Sequence, residues 1–460
     1  MKMNILFSLI ISALLSCSKK EVGTNPAPPP PPPPAAEFTQ YGTLFSAVPD
    51  PADAIIYQVN MRAFSAQGNF AGVQNRLDSI KALGVNVIYL MPYYPVGILK
   101  SVNSPYCIKD FYSVATEFGT LDNLRSLITE AHNRNIAVIA DWVADHTSWD
   151  NDWITKKDWY KQDANGNIIS PPNTGWADVA ALNFNNYDMR NEMIHAMKYW
   201  IYTTNIDGYR CDAADFIPYD FWKQAIDSLK AIGTHKLLMF AEGTRSNQFT
   251  AGFQLEYGMG FFNNMKDQVF AKGKTVKSID SVNNIEYPDA TIADQVVRYT
   301  SNHDVNSSDG TPQELFGGTD GSIATFAVAA LMKGIPMIYN GQEIGYPIRL
   351  NYFNNSTPIT WTYNTTVTPA YKKMLAFRNG NDAVKKGMLV SYSSDDVCVF
   401  TKTSGSQSVL VLVNLRNNAA QYQVPTALQN TNWKDGFDNS TVSISNQVSL
   451  QPYQYMVLKN

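Results

Sequence analysis

Four short stretches keep ionisable side chains inside otherwise apolar text: "DWVADH" (141–146), "GYRCD" (208–212), "FAEG" (240–243) and "SNHD" (301–304). In "GYRCD", Arg210 and Asp212 stand two residues apart, so on a strand both point to the same side of a sheet. A charged pair held on one face is costly unless something there uses it. A single acid at a strand end is ordinarily a helix cap or a solvated loop residue. Here the stretches bring Asp141, Asp145, Asp212, Glu242 and Asp304, with His146 and His303 beside two of them. Like charges gathered on one rim repel unless the site divides them into ionised and protonated roles. Glycosyl transfer asks for that division. One carboxylate attacks the anomeric carbon while another carboxyl gives a proton to the leaving oxygen. Arg210 favours the ionised form of Asp212, which suits it to attack. Glu242 follows an apolar run and is suited to a raised pKa and the acid role.

The text around these residues alternates. Strand-like runs rich in β-branched and aromatic residues cover 54–60, 85–92, 136–143, 206–213, 237–243, 259–263, 296–304 and 336–343. Helical stretches lie between them: Phe70, Val73, Leu77 and Ile80 share one face, and Thr120 can cap a helix carrying Leu124, Leu127, Ile128 and Ala131. Alternation of this kind predicts an α/β fold with parallel strands buried on both faces, closed as a (β/α)8 TIM barrel. In such a barrel, chemistry sits at the carboxyl ends of the strands, where the acids fall. The barrel is expected over 46–380, with a short insertion after the third strand at about 147–187. From 381 to 460, short alternating runs such as "VCVFTKT" and "SVLVLVNL" read as a small C-terminal antiparallel β-sandwich.

Composition narrows the partner. The 460 residues are 45% apolar and 17% charged, with a formal net charge of -4 and no Lys/Arg cluster that would suit nucleic acid. A neutral small molecule or neutral polymer fits better. Residues 1–17 hold Lys2, an apolar run too short to span a bilayer, and "LLSC", which resembles the bacterial lipobox with Cys17 as the lipidated residue. The proline run that follows makes 18–45 a stiff tether. These features imply a chain held at the bacterial cell envelope, on the outer membrane, and touching membrane only through its lipid. Cys107, Cys211 and Cys398 fit neither a disulfide framework nor a zinc site; free buried thiols are expected, with a Cys107–Cys211 bridge left open. His132, His195 and His235 lie in helical or connecting text and read as packing or surface residues.

The four stretches, in order, resemble the conserved regions of the α-amylase family (glycoside hydrolase family 13), and the resemblance runs over roughly residues 52–460. It implies a TIM-barrel catalytic domain, a small domain B after the third strand and a C-terminal β-sandwich. It implies that Asp212 is the nucleophile, Glu242 the general acid/base and Asp304 the third acid, which holds sugar hydroxyls. It further implies that Tyr106, Asp141, His146, Arg210 and His303 bind substrate or support the site, with Tyr106 stacking on the sugar and Asp110 in support. No cofactor is needed for such chemistry. A structural Ca2+, with Asp145 and Asp178 as candidate ligands, stays open.

The chain departs from the family pattern at three places. Where the third-strand motif usually reads Asn-His, this chain has Asp145-His146, whose aspartate is open to binding a hard cation or forming a salt bridge. Where many α-amylases carry Lys-His after the nucleophile, this chain has Asp215 and Phe216, so the leaving-group side must be built differently. Gly243 follows the acid where a bulkier residue is usual, which predicts open space there. The expected activity is hydrolysis of α-glucosidic, chiefly α-1,4, bonds in starch, maltodextrin or malto-oligosaccharide by a retaining route. The alternatives are an exo-acting α-glucosidase, a maltogenic or a transglycosylating relative. From another class comes an inactive glucan-binding lipoprotein, against which the intact acidic trio argues. Trp149, Trp153, Trp159 and Trp176 in the insertion either stack on sugar or hold an irregular loop together.

Overall fold

The computed structural model describes residues 38–460 apart from 289, 355, 356 and 365. The lipobox with Cys17 and the proline run lie outside the described residues. The chain contributes β1 (Ile56–Val59), β2 (Val87–Leu90), β3 (Ala137–Trp142), β4 (His146–Ser148), β5 (Val179–Ala181) and β6 (Gly208–Cys211). It continues with β7 (Leu238–Ala241), β8 (Leu255–Tyr257), β9 (Gln295–Tyr299) and β10 (Ile335–Tyr339). Eight of these close into a parallel barrel in the order β1-β10-β9-β8-β7-β6-β3-β2. β4 and β5 form an antiparallel pair that frames the insertion. Every residue of the barrel strands is buried, because helices cover the outside and side chains fill the inside. That double burial is why the strands read as continuous apolar runs.

One strand lies elsewhere than expected. Met259–Asn263 is a helix, and the barrel strand is the preceding Leu255–Tyr257. Apolar density at "MGFFN" reflects burial of Phe261 and Phe262, and burial does not distinguish a strand from a helix. The strand has three residues with Glu256 in the middle, too short to carry a periodic signal. The helix expected across Phe70 to Ile80 is broken into Phe70–Gln74 and Leu77–Lys81, with all four apolar residues still buried. Thr120 caps Leu121–His132 as expected, in a reciprocal capping box with Asn123.

The tail supplies β11 (Met388–Ser391), β12 (Val397–Ser404), β13 (Gln407–Asn414), β14 (Ala420–Gln423), β15 (Thr431–Asp435), β16 (Thr441–Ile444), β17 (Gln447–Leu450) and β18 (Tyr455–Lys459). They make a six-stranded antiparallel sheet, β11-β12-β13-β18-β15-β16, and a β14–β17 pair. Val399, Leu412, Tyr422, Trp433 and Leu450 from both sheets share a core of their own. Helices Thr368–Asn379 and Asp382–Lys386 precede the sheet, so it starts at Met388 rather than at 381.

The spacer expected to reach residue 45 gives way to packed chain by Phe38. Phe38 meets the His195 ring at 4.6 Å, the Arg125 guanidinium covers Tyr41, and Phe45 stacks on His132 at 4.1 Å. His132 in turn bonds Asp207 at 2.8 Å, which makes it a packing residue as read from the sequence. Cys107, Cys211 and Cys398 are buried free thiols. Among the described residues, no helix is long and apolar enough to cross a membrane. Replacing Thr120 with Ala removes one half of the capping box. Urea denaturation should show a loss of about 1 kcal/mol with the slope unchanged.

Candidate active site

The parallel ladder sets the positions of the acids. Asp141 in β3 is the direct neighbour of Arg210 in β6, and Arg210 neighbours Phe240 in β7. Asp212 and Glu242 each follow a strand by one residue, and their amides continue the ladder to Trp142 O and Cys211 O, both at 2.9 Å. The chain then turns sharply at Ala213, whose φ of 43° is left-handed. A non-glycine residue there costs about 1–2 kcal/mol. The turn directs the Ala213 amide at Glu242 Oε2, 2.7 Å away.

Arg210 is wholly buried beneath the cleft floor. Its Nη1 donates to Asp141 Oδ1 at 2.8 Å and to Asp212 Oδ1 at 2.7 Å. Its Nη2 lies 2.9 Å from Glu242 Oε1. One guanidinium therefore faces three carboxyl groups, and the cluster is short of positive charge if all three are ionised. Burial, opposed by Arg210 and reinforced by Glu242 and Asp141, holds the Asp212 carboxyl well above the usual carboxylate range. This corrects the expectation that Arg210 keeps Asp212 charged: burial and the two neighbouring carboxyls outweigh it. Glu242 likewise sits against a cation and an amide N–H, not against the apolar wall expected of it.

Asp141 is also fully buried. It accepts from Tyr89 at 2.5 Å and from Tyr106 at 3.0 Å as well as from Arg210. Neither Asp141 nor Arg210 lines the cleft, so both act through the residues above them. Tyr106, His146 and His303 do line it, together with Asp212, Glu242 and Asp304. The His303 Nε2 meets the Tyr106 hydroxyl at 2.6 Å and its Nδ1 meets Gln58 Nε2 at 2.8 Å. With Gln58 donating, Nδ1 is the acceptor and Nε2–H the donor, so the ring is neutral. Burial, helped by the charge of Arg210, lowers its pKa to about 3. Asp304 opens the helix His303–Ser308 and accepts from Tyr352 at 2.8 Å. Asp110 instead accepts from the Tyr112 amide and the Ser113 hydroxyl, and so braces its own loop.

Sequence reasoning missed Gln58 and Tyr352. Gln58 carried a signal, as the one polar residue inside β1. Tyr352 carried none, because it lies in irregular chain after β10. The insertion tryptophans divide as their contacts dictate. Trp149 bonds Ala177 O and lies under Lys100, and Trp153 meets Phe111 at 5.0 Å and Trp159 at 5.3 Å. Trp176 lines the cleft, edge-on to both His146 and the exposed Phe216 at 5.7 Å. Asp145 lies 3.5 Å from His146. Among the described residues, no three His, Cys, Asp or Glu side chains gather as a metal cage.

Two of the three departures from the family pattern, at Asp215 and Gly243, turn out to be one feature. Asp215 folds inward, accepting from the Thr244 amide at 2.7 Å, Arg245 Nε at 3.1 Å and Gln248 Nε2 at 3.1 Å. A Cβ on Gly243 would stand 2.4 Å from its Oδ1. The space expected beside Gly243 is therefore filled by Asp215, which clamps the loop after β6 to the loop after β7.

Residues 47–429 match the alpha-amylase family, described as "Alpha amylase, catalytic domain". The chain belongs to the alpha-amylase family. Among curated relatives, it is 28% identical over 340 residues to Alpha-amylase 3 of Dictyoglomus thermophilum, covering 64% of each chain. It is 24% identical over 386 residues to a cyclomaltodextrinase of Thermoanaerobacter pseudethanolicus, covering 75% of this chain and 63% of the other. This family member thus spans somewhat less than two thirds of the length of those relatives. A crystal structure of an alpha-amylase from Lactobacillus plantarum superposes with a TM-score of 0.80 at 24% identity, covering 89% of this chain and 99% of that one. At that identity the likeness speaks for the fold.

Gly243→Ala should cost about 1–3 kcal/mol by overpacking against Asp215. Asp215→Ala in the same chain should return part of that loss, so a double-mutant cycle by chemical denaturation should be clearly non-additive.

Proposed function

We propose that this alpha-amylase family member is a retaining hydrolase that cleaves α-1,4 bonds within α-glucan chains by double displacement. The observation that carries the reading is one buried guanidinium bridging Asp212 and Glu242 on the floor of the cleft. Retaining chemistry wants its two carboxyl groups about 5–5.5 Å apart, and an arginine that contacts one oxygen of each supports a close pair.

In the first step an Asp212 oxygen forms a bond to the anomeric carbon while the carbon–oxygen bond to the leaving sugar breaks. Glu242 delivers its proton to that leaving oxygen. In the second step Glu242 takes a proton from water, the water oxygen bonds the anomeric carbon, and Asp212 leaves as carboxylate. Burial raises the pKa of the Asp141 and Asp212 carboxyls, and Arg210 steadies whichever acid is ionised. Asp304, held by Tyr352, accepts from ring hydroxyls. His303, a neutral N–H donor, and Tyr106 complete the wall around that sugar. A cleft of about 680 Å³ suits a stretch of neutral chain.

A second reading, exo-acting or transferring, draws support from the leaving-group side. There Trp176 and Phe216 offer rings where the family often offers charge, and Asp215 is turned away. Product time courses on amylose separate the two: mixed oligomers appear early from internal cutting, one short sugar from cutting at an end. For location, the chain is proposed to be anchored through lipid on Cys17 at the outer membrane. Cys17→Ser should then move the protein from the membrane fraction to the soluble fraction.

Glu242→Gln should lower kcat by about 10²–10⁴-fold. Asp212→Asn should abolish turnover yet leave oligosaccharide binding measurable by calorimetry; retained turnover would sink the assignment. Proton NMR of the first product should show the α-anomer, whereas the β-anomer would exclude a retaining route. Attack needs Asp212 ionised and its pKa is raised, so activity should be lost as pH falls through a value above the ordinary carboxylate range. His303, neutral down to about pH 3, should contribute nothing to that limb.

A further inference from the structure

At the end of the barrel opposite the acids, a cavity of about 320 Å³ lies between the starts of β9 and β10 and the chain around β11 and β12. Among the described residues, four lysines line it, Lys333, Lys385, Lys386 and Lys402, against one acid, Asp294. Two of the lysines are balanced: Lys385 pairs with Asp53 at 2.8 Å and Asp382 at 3.0 Å, and Lys386 lies 3.6 Å from Asp53. The other two are not. Lys402 is only 4% exposed, and its ammonium donates to a single acceptor, Val384 O. Lys333 donates to Asn283 O and Glu286 O.

Further cations stand close by. Arg298 and Arg378 are buried and near enough to depress the Lys402 ammonium. Arg298 has Glu286 at 2.9 Å, while Arg378 has only backbone acceptors, Ala330 O and Ala52 O. Among the described residues, Arg298 Nη1 and Arg378 Nε find no acceptor. Among the same residues, four largely buried cations, Arg298, Arg378, Lys333 and Lys402, have two carboxylates near them, Glu286 and Asp53, and Asp53 is already paired with Lys385 and Lys386. Tying helix ends accounts for the bonds the lysines make to carbonyls. It does not account for excess positive charge walled around an open cavity, which is costly without a counter-charge.

We propose that this cavity is a binding site for a small oxyanion of the phosphate class. Such an ion offers several acceptors to the unused ammonium donors of Lys402 and Lys333, and charge-assisted bonds of that kind are the strong ones. Lys386, at the exposed edge, adds attraction at the mouth. Binding also sets a pH dependence of definite sign. Burial and the nearby arginines lower Lys402 to about 7 and Lys333 to about 8, so in mildly alkaline buffer both lose charge. Among the described residues, Asp53, Glu286 and Asp294 are the acids that face the cluster, and against the effect of burial Lys385 and Lys386 hold the Asp53 carboxyl below its ordinary range. Affinity for an anion of fixed charge, such as sulfate, should therefore fall as pH rises through 7 to 8 and 9.

The test is calorimetric titration of the full chain with inorganic phosphate, and thermal melting in phosphate against sodium chloride at equal ionic strength. Saturable binding to one site is expected, with a rise in Tm beyond that given by chloride. Phosphate binding should weaken about tenfold or more in Lys402→Met, whose side chain keeps the buried stem, and sulfate, whose charge is fixed, should bind more weakly in alkaline buffer. Lys386→Gln, at the exposed mouth, should weaken it less and leaves the core untouched; it decides the matter if Lys402→Met fails to fold. A Tm shift no larger than chloride gives, or affinity unchanged in either variant, would overturn the proposal.

Discussion

A cation with no access to water, Arg210, holds the floor of the cleft together. Its charge is tolerable only because three carboxyl groups surround it, and they stand so close only because it is there. Each partner comes from a different strand of the closed barrel, so the ladder register from β3 through β6 to β7 is what the cluster depends on. A one-residue slip in any of these strands would turn an acid towards the helix layer. The barrel is thus an instrument for bringing like charges to one point, and the arginine is what makes the point stable.

The same cluster explains why two shells of residues surround the reaction site. Asp141, Tyr89 and Gln58 never meet solvent, yet they fix the angle of Arg210, Tyr106 and His303 above them. Above that layer, the cleft residues are partly open and free to meet a sugar. Asp215 performs a comparable service from the side. By filling the space over Gly243 it ties the loop bearing Asp212 to the loop bearing Glu242, and it removes from the cleft the polar pair that relatives present there. What is left at that edge is aromatic, Trp176 and Phe216, a surface that suits a sugar face better than it suits a charge.

The far end of the barrel poses the opposite problem, with positive charge in excess and a cavity in its midst. Closed barrels expose chemistry at one rim and commonly leave the other to stability. The bottom rim here is where the C-terminal strands meet the barrel; Lys402 from the sheet binds the end of the helix before it, and Lys333 binds a helix end of the barrel. A counter-ion in the seam would join stability to the ionic composition of the surroundings without touching the cleft.

Much of this was legible in the residues themselves. Asp141, Arg210, Asp212, Glu242 and Asp304 stand out because a doubly buried strand tolerates few polar residues, and those it keeps must converge on something. Long runs with full burial fixed seven of the eight barrel strands for the same reason. The failures have equally local causes. β8 is three residues long with a glutamate in its middle, shorter than any period can reveal, and the apolar helix beside it took its place. The role of Arg210 was read as a pairing because two residues on one strand are visible in sequence, whereas Asp141 and Glu242 reach it from neighbouring strands. Whether space beside Gly243 is open, and which tryptophan faces the cleft, depends on side chains from distant segments arriving at one place. Sequence determined which groups must be there; only the closure of the chain decided how their charges are shared.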